Sequence, residues 1–286
     1  MELGDYLKEK KKIVDEYLEN QLPSEKINPS LIHRSIRYSV LNGGKRLRPI
    51  LTMMTAELLG KPYQSVLPAA AGIELIHCFS LVHDDLPCMD DDDYRRGKLT
   101  SHKVFGEGIA VLTGDALLVM GLDFICNNAE VEGVSKESVL QVINKVLDML
   151  GTRKMLGGQV EDINWQFREQ NHNNILDIYL KKTSALICAS LETGALLSQA
   201  NEEEISSLSQ FGENIGLAFQ ITDDLLDLQQ DKKDNEKPSY PAIFGIEKSK
   251  EEIKEYCNKA KENLLIFGNR AELFYKLVDY VQYRKE

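Results

Sequence analysis

Apolar residues recur at the helical spacing i, i+3, i+4, i+7 along nearly all of the 286 residues, and the alternating pattern of a half-buried strand is absent. Helices are predicted from about Tyr6 to Leu18 and over residues 29–41, 45–59, 63–85, 104–128, 136–151, 153–168, 174–199, 202–228, 242–266 and 270–284. The segments 174–199 and 202–228 are apolar on more than one face, which predicts a central position. No long linker or fixed-period repeat divides the chain. We therefore predict an all-α fold in which residues 1–286 form one domain, a bundle of about ten or more helices around a central cavity.

The charge balance excludes some classes of partner. The chain has 34 Lys plus Arg against 45 Asp plus Glu, a net charge of −11, and no long basic stretch, so no nucleic acid partner is expected. Asp115 interrupts the apolar run 108–120, so no membrane span is expected. The first twelve residues lack the apolar core of a signal peptide, and the five cysteines form no C-x-x-C pair, which favours a cytoplasmic protein with reduced thiols.

An acidic run interrupts the apolar helix predicted over 63–85. Six aspartates fall within residues 84–93. Their carboxylates repel one another and Asp is a poor helix former, so local stability cannot explain the run. A charge run of this kind is often only a solvated loop. Here it follows a strongly apolar helix, and Pro87 cannot continue the helical hydrogen bonding. A local bulge at Pro87 would return Asp90 to the place, relative to Asp84, of an i+4 residue.

A second aspartate cluster lies at the end of the helix predicted over 202–228. Asp223 and Asp227 are four residues apart, so their carboxylates share one helix face. Two carboxylate pairs on separate helices indicate hard divalent cations, and Mg²⁺ typically combines one or two carboxylates with water and substrate phosphates. A calcium-binding loop is the rival interpretation, but the EF-hand pattern with its glycine is absent from the sequence.

Basic residues stand at isolated points that suit anions. Lys45 and Arg48 are three residues apart at the predicted start of a helix, so we expect them on one helix face, where both charge and helix dipole favour a phosphate. Arg95 and Arg96 directly follow the acidic run, and arginine can contact a phosphate through two N–H groups.

Further polar residues lie on apolar helices. His77 precedes Asp84 by seven residues on the same helix face, although a lone histidine on an apolar helix is more often a core residue. Lys182, Thr183 and Gln220 would point to one interior if the helices 174–199 and 202–228 face each other.

Together these motifs resemble those of the trans-polyprenyl diphosphate synthases, specifically the short-chain group of bacterial farnesyl diphosphate synthases, whose fold is of the isoprenoid synthase type. The matching segments are Gly43–Pro49 (GGKRLRP), His77, Asp84–Gly97 (DDLPCMDDDDYRRG), Gly114–Leu117, Gly157–Gln159, Lys182–Thr183 and Gly216–Asp227 (GLAFQITDDLLD). The resemblance implies a head-to-tail condensation of dimethylallyl or geranyl diphosphate with isopentenyl diphosphate, through an allylic carbocation, to farnesyl diphosphate. It also implies Mg²⁺, three ions per active site, and a homodimer.

The resemblance assigns roles residue by residue. Metal ligands are expected at Asp84, Asp90 and Asp223, with Asp85, Asp224 and Asp227 orienting waters or ligands. The allylic diphosphate would be held by Arg95, Lys182 and Lys237, and the isopentenyl diphosphate by Lys45, Arg48, His77 and Arg96. Catalytic, cation-facing groups are expected at Lys182, Thr183 and Gln220. No side chain in the motifs stands out as a general base, which fits removal of the final proton by the departing pyrophosphate.

The length of the prenyl product should be set by the residues at the bottom of the pocket that holds its hydrocarbon chain. Phe79 lies five residues before Asp84, about 7.5 Å deeper along the helix at about 1.5 Å per residue. The resemblance assigns Phe79 the role of stopping growth at the fifteen-carbon product, whereas strict helical spacing puts Ser80 directly beneath Asp84. An aromatic residue there is also an ordinary core residue. The alternative product is geranylgeranyl diphosphate.

The stretch 228–241 departs from the family pattern because it is shorter by about ten residues. Lys237 and the pair Tyr240–Pro241 still match, and Lys232 or Lys233 could replace a missing lysine. In the family this loop covers the allylic diphosphate, so the departure bears on lid closure rather than on the metal chemistry.

Two rival functions stay open. A terpene cyclase also ionises a diphosphate, but it would not need a second diphosphate site at Lys45, Arg48 and Arg96. A non-catalytic subunit of a heteromeric prenyl synthase would explain the shortened loop, but the intact aspartate motifs argue against it.

Overall fold

The computed structural model describes residues 2–165, 169, 171–229 and 239–284, and its regular structure is almost wholly helical, which confirms the all-α class. By proximity of Cα atoms, the chain forms two compact units, Leu3–Ile143 and Asn144–Glu286, the latter also including Glu2. The single domain over residues 1–286 stays a prediction.

The first unit consists mainly of helices. Its helices are α1 (Leu3–Gln21), α2 (Ser30–Leu41), α3 (Leu47–Leu58), α4 (Leu67–Asp84), α5 (Ser101–Phe105), α6 (Glu107–Asn127) and the start of α7 (Lys136–Leu150). Short 3₁₀ turns over Tyr63–Val66 and Asn128–Glu130 precede α4 and follow α6. Apart from the separate short helix α5, which was not predicted, the bounds agree with the predicted helices to within a few residues. Periodicity marks helix interiors better than helix ends.

α4 is largely buried within the first unit. Its apolar residues are buried on all sides, as the lack of a polar stripe predicts. Glycines allow α6 to approach closely, since a Cβ on Gly121 would lie 2.8 Å from the carbonyl oxygen of Gly72. Each large apolar side chain buried in such a contact contributes roughly 1.5–3 kcal/mol. Packing against α6 therefore supports the helix that carries the start of the aspartate run.

Two stretches of described residues, Tyr63–Asp84 and Glu107–Glu130, are long and apolar enough to cross a membrane by length and composition alone. The first window is 72% buried within the protein, so packing in a core accounts for its apolar character. The second is 39% buried, and α6 leaves Val111, Leu112 and Val119 exposed.

A two-stranded hairpin, which periodicity did not predict, follows the aspartate run. Strand β1 (Tyr94–Arg95) pairs antiparallel with β2 (Lys98–Leu99). Arg96 and Gly97 between them have positive φ angles of 56° and 77°, as a two-residue turn of this hand requires. Strands of two residues are too short to carry an alternating pattern.

The second unit holds the remaining helices. After the end of α7 these are α8 (Met155–Ile163), α9 (His172–Tyr179), α10 (Ala185–Leu197), α11 (Glu202–Gln229), α12 (Tyr240–Phe244), α13 (Ile246–Asn263) and α14 (Glu272–Tyr283). A 3₁₀ stretch over Leu265–Ala271 precedes α14. α10 is buried on nearly every side, and α11 packs against both α10 and α13, as the apolar faces of the predicted central helices require.

A π-helical turn, Leu180–Ser184, interrupts the helix predicted over 174–199 and joins α9 to α10. This wider turn needs space on two sides. A Cβ on Gly158 of α8 would lie 2.7 Å from the main-chain nitrogen of Lys182, and a Cβ on Gly216 of α11 would clash with the Ser184 side chain. π-turns are rare and occur frequently at functional sites. This one carries two of the residues expected to be catalytic.

Candidate functional site

The aspartate run folds back onto the end of α4. Asp84 is the last residue of the helix, and Pro87 follows it in the turn. The Asp90 N–H donates to the Asp84 carbonyl oxygen at 2.9 Å, and the Asp91 N–H donates to the Leu86 carbonyl oxygen at 3.1 Å. The Asp90 backbone therefore returns to Asp84, as the predicted bulge requires. The roles of these two carboxylates as metal ligands remain a prediction.

Asp85 is buried against Arg95. The Arg95 Nε and Nη2 donate to Asp85 Oδ1 at 2.9 and 2.6 Å, and Nη2 also donates to Asp92 Oδ2 at 2.7 Å. Burial raises the pKa of Asp85, and the hydrogen bonds from Arg95 oppose that rise. Because Arg95 lies on β1, this ion pair fastens the hairpin to the end of α4. An anion could approach Arg95 only through its remaining N–H groups.

Arg96, Arg48 and His77, which we call the cationic cluster, gather beside α4. Arg96 Nη1 donates to the Gly43 carbonyl oxygen, and a Cβ on Gly44 would lie 2.6 Å from Arg96 Cζ, so the glycine pair leaves room for this guanidinium. Arg48 Nη1 lies 3.3 Å from His77 Nε2. Burial, with the nearby charges of Arg48 and Arg96, holds the pKa of His77 well below its usual 6.5. A neutral histidine beside Arg48 can accept an N–H from its guanidinium without adding a charge of its own.

Lys45 does not share a helix face with Arg48, which corrects the expected position. α3 begins at Leu47, so Lys45 lies exposed in the preceding turn. Arg46 takes a positive φ of 54° and buries its guanidinium, which donates to Glu74 Oε1 at 2.7 Å. A helical pattern does not predict a left-handed residue at this point. The physical reason for the difference is the attraction between the Arg46 guanidinium and the buried Glu74 carboxylate. The expected role of Lys45 in binding a diphosphate stays a prediction.

The two residues expected to set product length lie side by side on α4 but differ in surroundings. Phe79 is buried, and its ring packs edge-on against the His83 ring at 5.1 Å between centroids. His83 Nε2 lies 3.0 Å from the Val111 carbonyl oxygen of α6. The Ser80 hydroxyl donates to the His77 carbonyl oxygen at 2.9 Å. Phe79 therefore lies on the His83 side of α4, and Ser80 lies one turn before Asp84.

The two lysines of the π-turn are held by carboxylates. Lys182 Nζ donates to Asp162 Oδ2 at 2.7 Å. Lys181 Nζ donates to Asp177 Oδ2 at 2.6 Å and to Glu161 Oε1 at 3.0 Å. Lys182 is therefore oriented before any anion arrives, and an anion would share it with Asp162. Lys237, the other lysine expected to hold an allylic diphosphate, lies outside the described residues.

Thr183 and Gln220 belong to one continuous hydrogen-bond chain. The Thr183 hydroxyl donates to Gln220 Oε1 at 2.8 Å, and Gln220 Nε2 donates to Asp224 Oδ1 at 2.9 Å. Asp224 Oδ2 accepts from the Tyr179 hydroxyl and, at 3.3 Å, from the Tyr240 N–H. Burial raises the pKa of Asp224, and the bonds from Tyr179 and Gln220 oppose that rise. Asp224 is thus an anchor for side chains, which accords with its expected supporting role.

Asp223 has a different partner. Arg284 Nη2 donates to Asp223 Oδ1, and it also donates to the Phe219 carbonyl oxygen at 3.1 Å. The Arg284 guanidinium stacks over the Phe219 ring at 4.1 Å and is almost fully buried. Asp227 follows Asp223 by one turn of α11, so the predicted shared face exists.

One group of three possible metal ligands lies close together among the described residues, and it contains none of the expected ligands. Single donor atoms of Asp91, Asp93 and His102 lie within 4.8 Å of one another. Lys103 Nζ lies 2.6 Å from Asp93 Oδ1 and already neutralises part of this group. We treat it as part of the surroundings of the aspartate run.

Sequence reasoning missed Arg46, Tyr179 and Arg284. A charged residue inside an apolar helix, such as Glu74 in α4, signals a buried ion pair and could have pointed to Arg46. Tyr179 and Arg284 carry no such signal, because their carboxylate partners lie 45 and 61 residues away in the chain.

Comparison with known proteins gives consistent matches over nearly the whole chain. The family model described as Polyprenyl synthetase matches residues 29–264. A geranylgeranyl diphosphate synthase of Cyanophora paradoxa is 39% identical over 96% of this chain and 94% of its own length. A farnesyl diphosphate synthase of Bacillus subtilis is 37% identical over 99% of this chain and 98% of its own length. The solved apo structure of an FPP/GFPP synthase from Zymomonas mobilis matches with a TM-score of 0.89 at 31% identity, covering 98% of this chain and 99% of that chain.

Proposed function

The chain belongs to the polyprenyl synthetase family, and from that premise we propose that it joins dimethylallyl or geranyl diphosphate head to tail with isopentenyl diphosphate to give farnesyl diphosphate. The observation that carries the proposal is the cationic cluster of Arg48, His77 and Arg96, on and beside the helix that ends at Asp84. A prenyl transferase must hold two diphosphates. Arg95 is turned toward the aspartate run. We therefore assign the second diphosphate, which a terpene cyclase would not need, to the cationic cluster.

Each diphosphate has its own residues in this proposal. Isopentenyl diphosphate would be bound by the cationic cluster together with the exposed Lys45. The allylic diphosphate would be bound by Arg95 and Lys182, with Lys237 as a third cation. Asp92 and Asp162 keep Arg95 and Lys182 oriented for this contact.

The donor set at the two aspartate motifs fits Mg²⁺. Carboxylate oxygens are hard ligands of the kind that this ion takes together with waters and phosphates. The ligands would be Asp84, Asp90 and Asp223, for three ions per active site, with Asp85, Asp224 and Asp227 orienting waters or ligands. When bound, Mg²⁺ would neutralise charge on the leaving diphosphate. Asp85 and Asp224 are hydrogen-bonded to other side chains, which accords with the supporting role proposed for them.

The reaction separates charge that protein groups must then stabilise. The allylic C–O bond breaks with its electron pair on the diphosphate, and the double bond of isopentenyl diphosphate attacks the resulting cation. The proton lost afterwards would pass to the departing pyrophosphate. The Thr183 hydroxyl oxygen, the Gln220 amide oxygen and the main-chain carbonyl near Lys182 would supply negative dipoles to the cation. Apolar residues of α10 would exclude water from it.

Product length would be set by Phe79, whose buried ring on α4 would stop growth at fifteen carbons. Geranylgeranyl diphosphate is the alternative product, since the compared relatives are named for both products. A non-catalytic subunit of a heteromeric synthase is the other alternative.

A homodimer in the cytoplasm is also part of the proposal. On α6 the exposed fractions of Val111, Leu112 and Val119 are 41%, 55% and 66%, and a second copy of the chain would cover these side chains. The structure leaves all five cysteines unpaired, as a reducing compartment favours.

The experiment is incubation of the purified protein with Mg²⁺, isopentenyl diphosphate and either dimethylallyl or geranyl diphosphate, followed by chromatography of the dephosphorylated products. We expect consumption of isopentenyl diphosphate and a fifteen-carbon alcohol. A twenty-carbon alcohol would replace the farnesyl assignment with the geranylgeranyl one. Cyclic products without consumption of isopentenyl diphosphate would indicate a cyclase, and no product of any length would favour the non-catalytic subunit.

A further inference from the structure

Tyr179, which no sequence motif marks, ends the hydrogen-bond chain that contains Thr183 and Gln220. On the basis of the proposed prenyl transfer, we propose that Tyr179 is a positioning residue, which fixes Asp224 and thereby the orientation of the Gln220 and Thr183 side chains. Tyr179 would touch neither substrate nor reacting atoms, and its effect would pass through three hydrogen bonds.

The Tyr179 hydroxyl has only one way to donate. Its oxygen accepts the Tyr240 N–H at 3.0 Å, so its single hydrogen is directed to Asp224 Oδ2. Tyr179 is 9% exposed and Tyr240 is fully buried, so water has little access to this end of the chain. The tyrosine therefore holds the Asp224 carboxylate in one rotamer.

Asp224 then decides which way the Gln220 amide faces. A carboxylate accepts hydrogen bonds and donates none, so Gln220 must turn its NH₂ group to Asp224 Oδ1, at 2.9 Å. The Gln220 carbonyl oxygen is thereby directed to Thr183, whose hydroxyl donates to it at 2.8 Å. The Thr183 hydroxyl hydrogen and one of the two Gln220 amide hydrogens are used within the chain. Oxygen lone pairs of Thr183 and Gln220 are then what these side chains offer to a cation.

Loss of the Tyr179 hydroxyl would release this arrangement. Asp224 Oδ2 would lose its O–H donor and keep only the longer bond from the Tyr240 N–H at 3.3 Å, so the Asp224 side chain could rotate and the Gln220 amide could flip. A flipped amide presents N–H groups, which repel a cation rather than stabilise it. The step that forms the carbocation should slow, whereas isopentenyl diphosphate binding, assigned to residues of the first unit, should not change.

The test compares steady-state kinetics of the wild type with those of Tyr179→Phe, Thr183→Val and the double variant, using Mg²⁺, geranyl diphosphate and isopentenyl diphosphate. For Tyr179→Phe we expect kcat to fall on the order of tenfold. We expect KM for isopentenyl diphosphate to stay within about twofold. Because Tyr179 and Thr183 act through the same amide, the double variant should be about as slow as the slower single variant.

Tyr6→Phe is the matched control. The Tyr6 hydroxyl also donates to a carboxylate, Glu57 Oε2 at 2.6 Å, and Tyr6 is 3% exposed in the first unit. Its loss should lower the melting temperature to a similar extent but leave kcat unchanged. Asp224→Asn provides a second variant if Tyr179→Phe does not fold, because the asparagine keeps the volume but can donate. It should also lower kcat and be non-additive with Thr183→Val.

The outcomes separate the two proposals. If the wild type is active but kcat is unchanged in Tyr179→Phe, the positioning role is wrong and the proposed function stands. The same conclusion follows if the reductions in kcat of the two single variants multiply in the double variant. A wild type that makes no prenyl product would remove the proposed function and the positioning role with it.

Discussion

Arg284 binds the carboxylate of Asp223, the residue of the second aspartate motif that we expect to hold a metal ion. The guanidinium is almost fully buried and stacks on Phe219, so its position is well determined by packing. A divalent cation at Asp223 would share this carboxylate with the Arg284 guanidinium. The two positive groups would therefore compete for it.

Arg284→Gln should increase the affinity of the protein for Mg²⁺, because it removes the competing charge but keeps an N–H donor. We expect the half-saturating Mg²⁺ concentration to fall by about threefold to tenfold, the range of a weak ionic coupling. Isothermal titration with Mg²⁺ and pyrophosphate measures this directly. A higher Mg²⁺ requirement in the variant would show that Arg284 orients Asp223 for the metal instead of competing with it.

Phe79→Ala should lengthen the product, because it opens space on α4 below the aspartate run. Removing so buried a ring should also lower the free energy of unfolding by about 3–5 kcal/mol. Phe124→Ala is the matched control, since Phe124 of α6 is also 7% exposed and likewise packs edge-on against a ring, that of Tyr17. It should destabilise equally without changing product length. An unchanged product distribution in Phe79→Ala would remove the proposed role.

Gly158→Ala should damage the π-turn. The new Cβ would lie 2.7 Å from the main-chain nitrogen of Lys182, and a main-chain atom cannot move aside as a flexible side chain can. We expect a loss of about 1–3 kcal/mol in stability and a large fall in kcat. Gly108→Ala in α6 meets no atom within 4 Å, and it should leave kcat unchanged and raise stability slightly. Equal effects of the two substitutions would contradict the account of the turn.

His77 should make stability depend on pH. Its pKa in the folded protein is well below 6.5, so below about pH 6.5 the unfolded chain binds a proton that the folded protein does not. The free energy of unfolding should therefore fall as pH decreases from 7 to 5, by up to about 1.4 kcal/mol per pH unit from this group. Urea denaturation of the wild type and of His77→Gln measures the difference in slope. If the free energy of unfolding of the two proteins falls in parallel below pH 6.5, His77 does not cause the pH dependence.

The helices, their order and the residues of both aspartate motifs could be predicted from the sequence, because helical periodicity and residue type are local properties. The return of Asp90 to Asp84 could also be predicted, since Pro87 and the spacing of the aspartates allow few alternatives.

Features that depend on distant partners could not be predicted. The left-handed turn at Arg46 depends on Glu74, 28 residues away. The π-turn depends on glycines of α8 and α11, which a single periodic segment does not reveal. The pairing of Tyr179 with Asp224 requires the fold, because nothing in a tyrosine of an apolar helix shows that its hydroxyl has a carboxylate partner.

In the proposed function, the two aspartate motifs serve prenyl transfer from an allylic diphosphate. The most direct measurement is the rate of pyrophosphate release with geranyl and isopentenyl diphosphates, in Mg²⁺, for the wild type and for Asp84→Asn, Asp223→Asn and Asp123→Asn. Asp123 is an exposed aspartate of α6 outside both motifs, so its variant controls for loss of one surface charge. We predict that Asp84→Asn and Asp223→Asn each slow release by a factor on the order of a thousand or more, and that Asp123→Asn matches the wild type. Near wild-type rates in both motif variants would contradict the account.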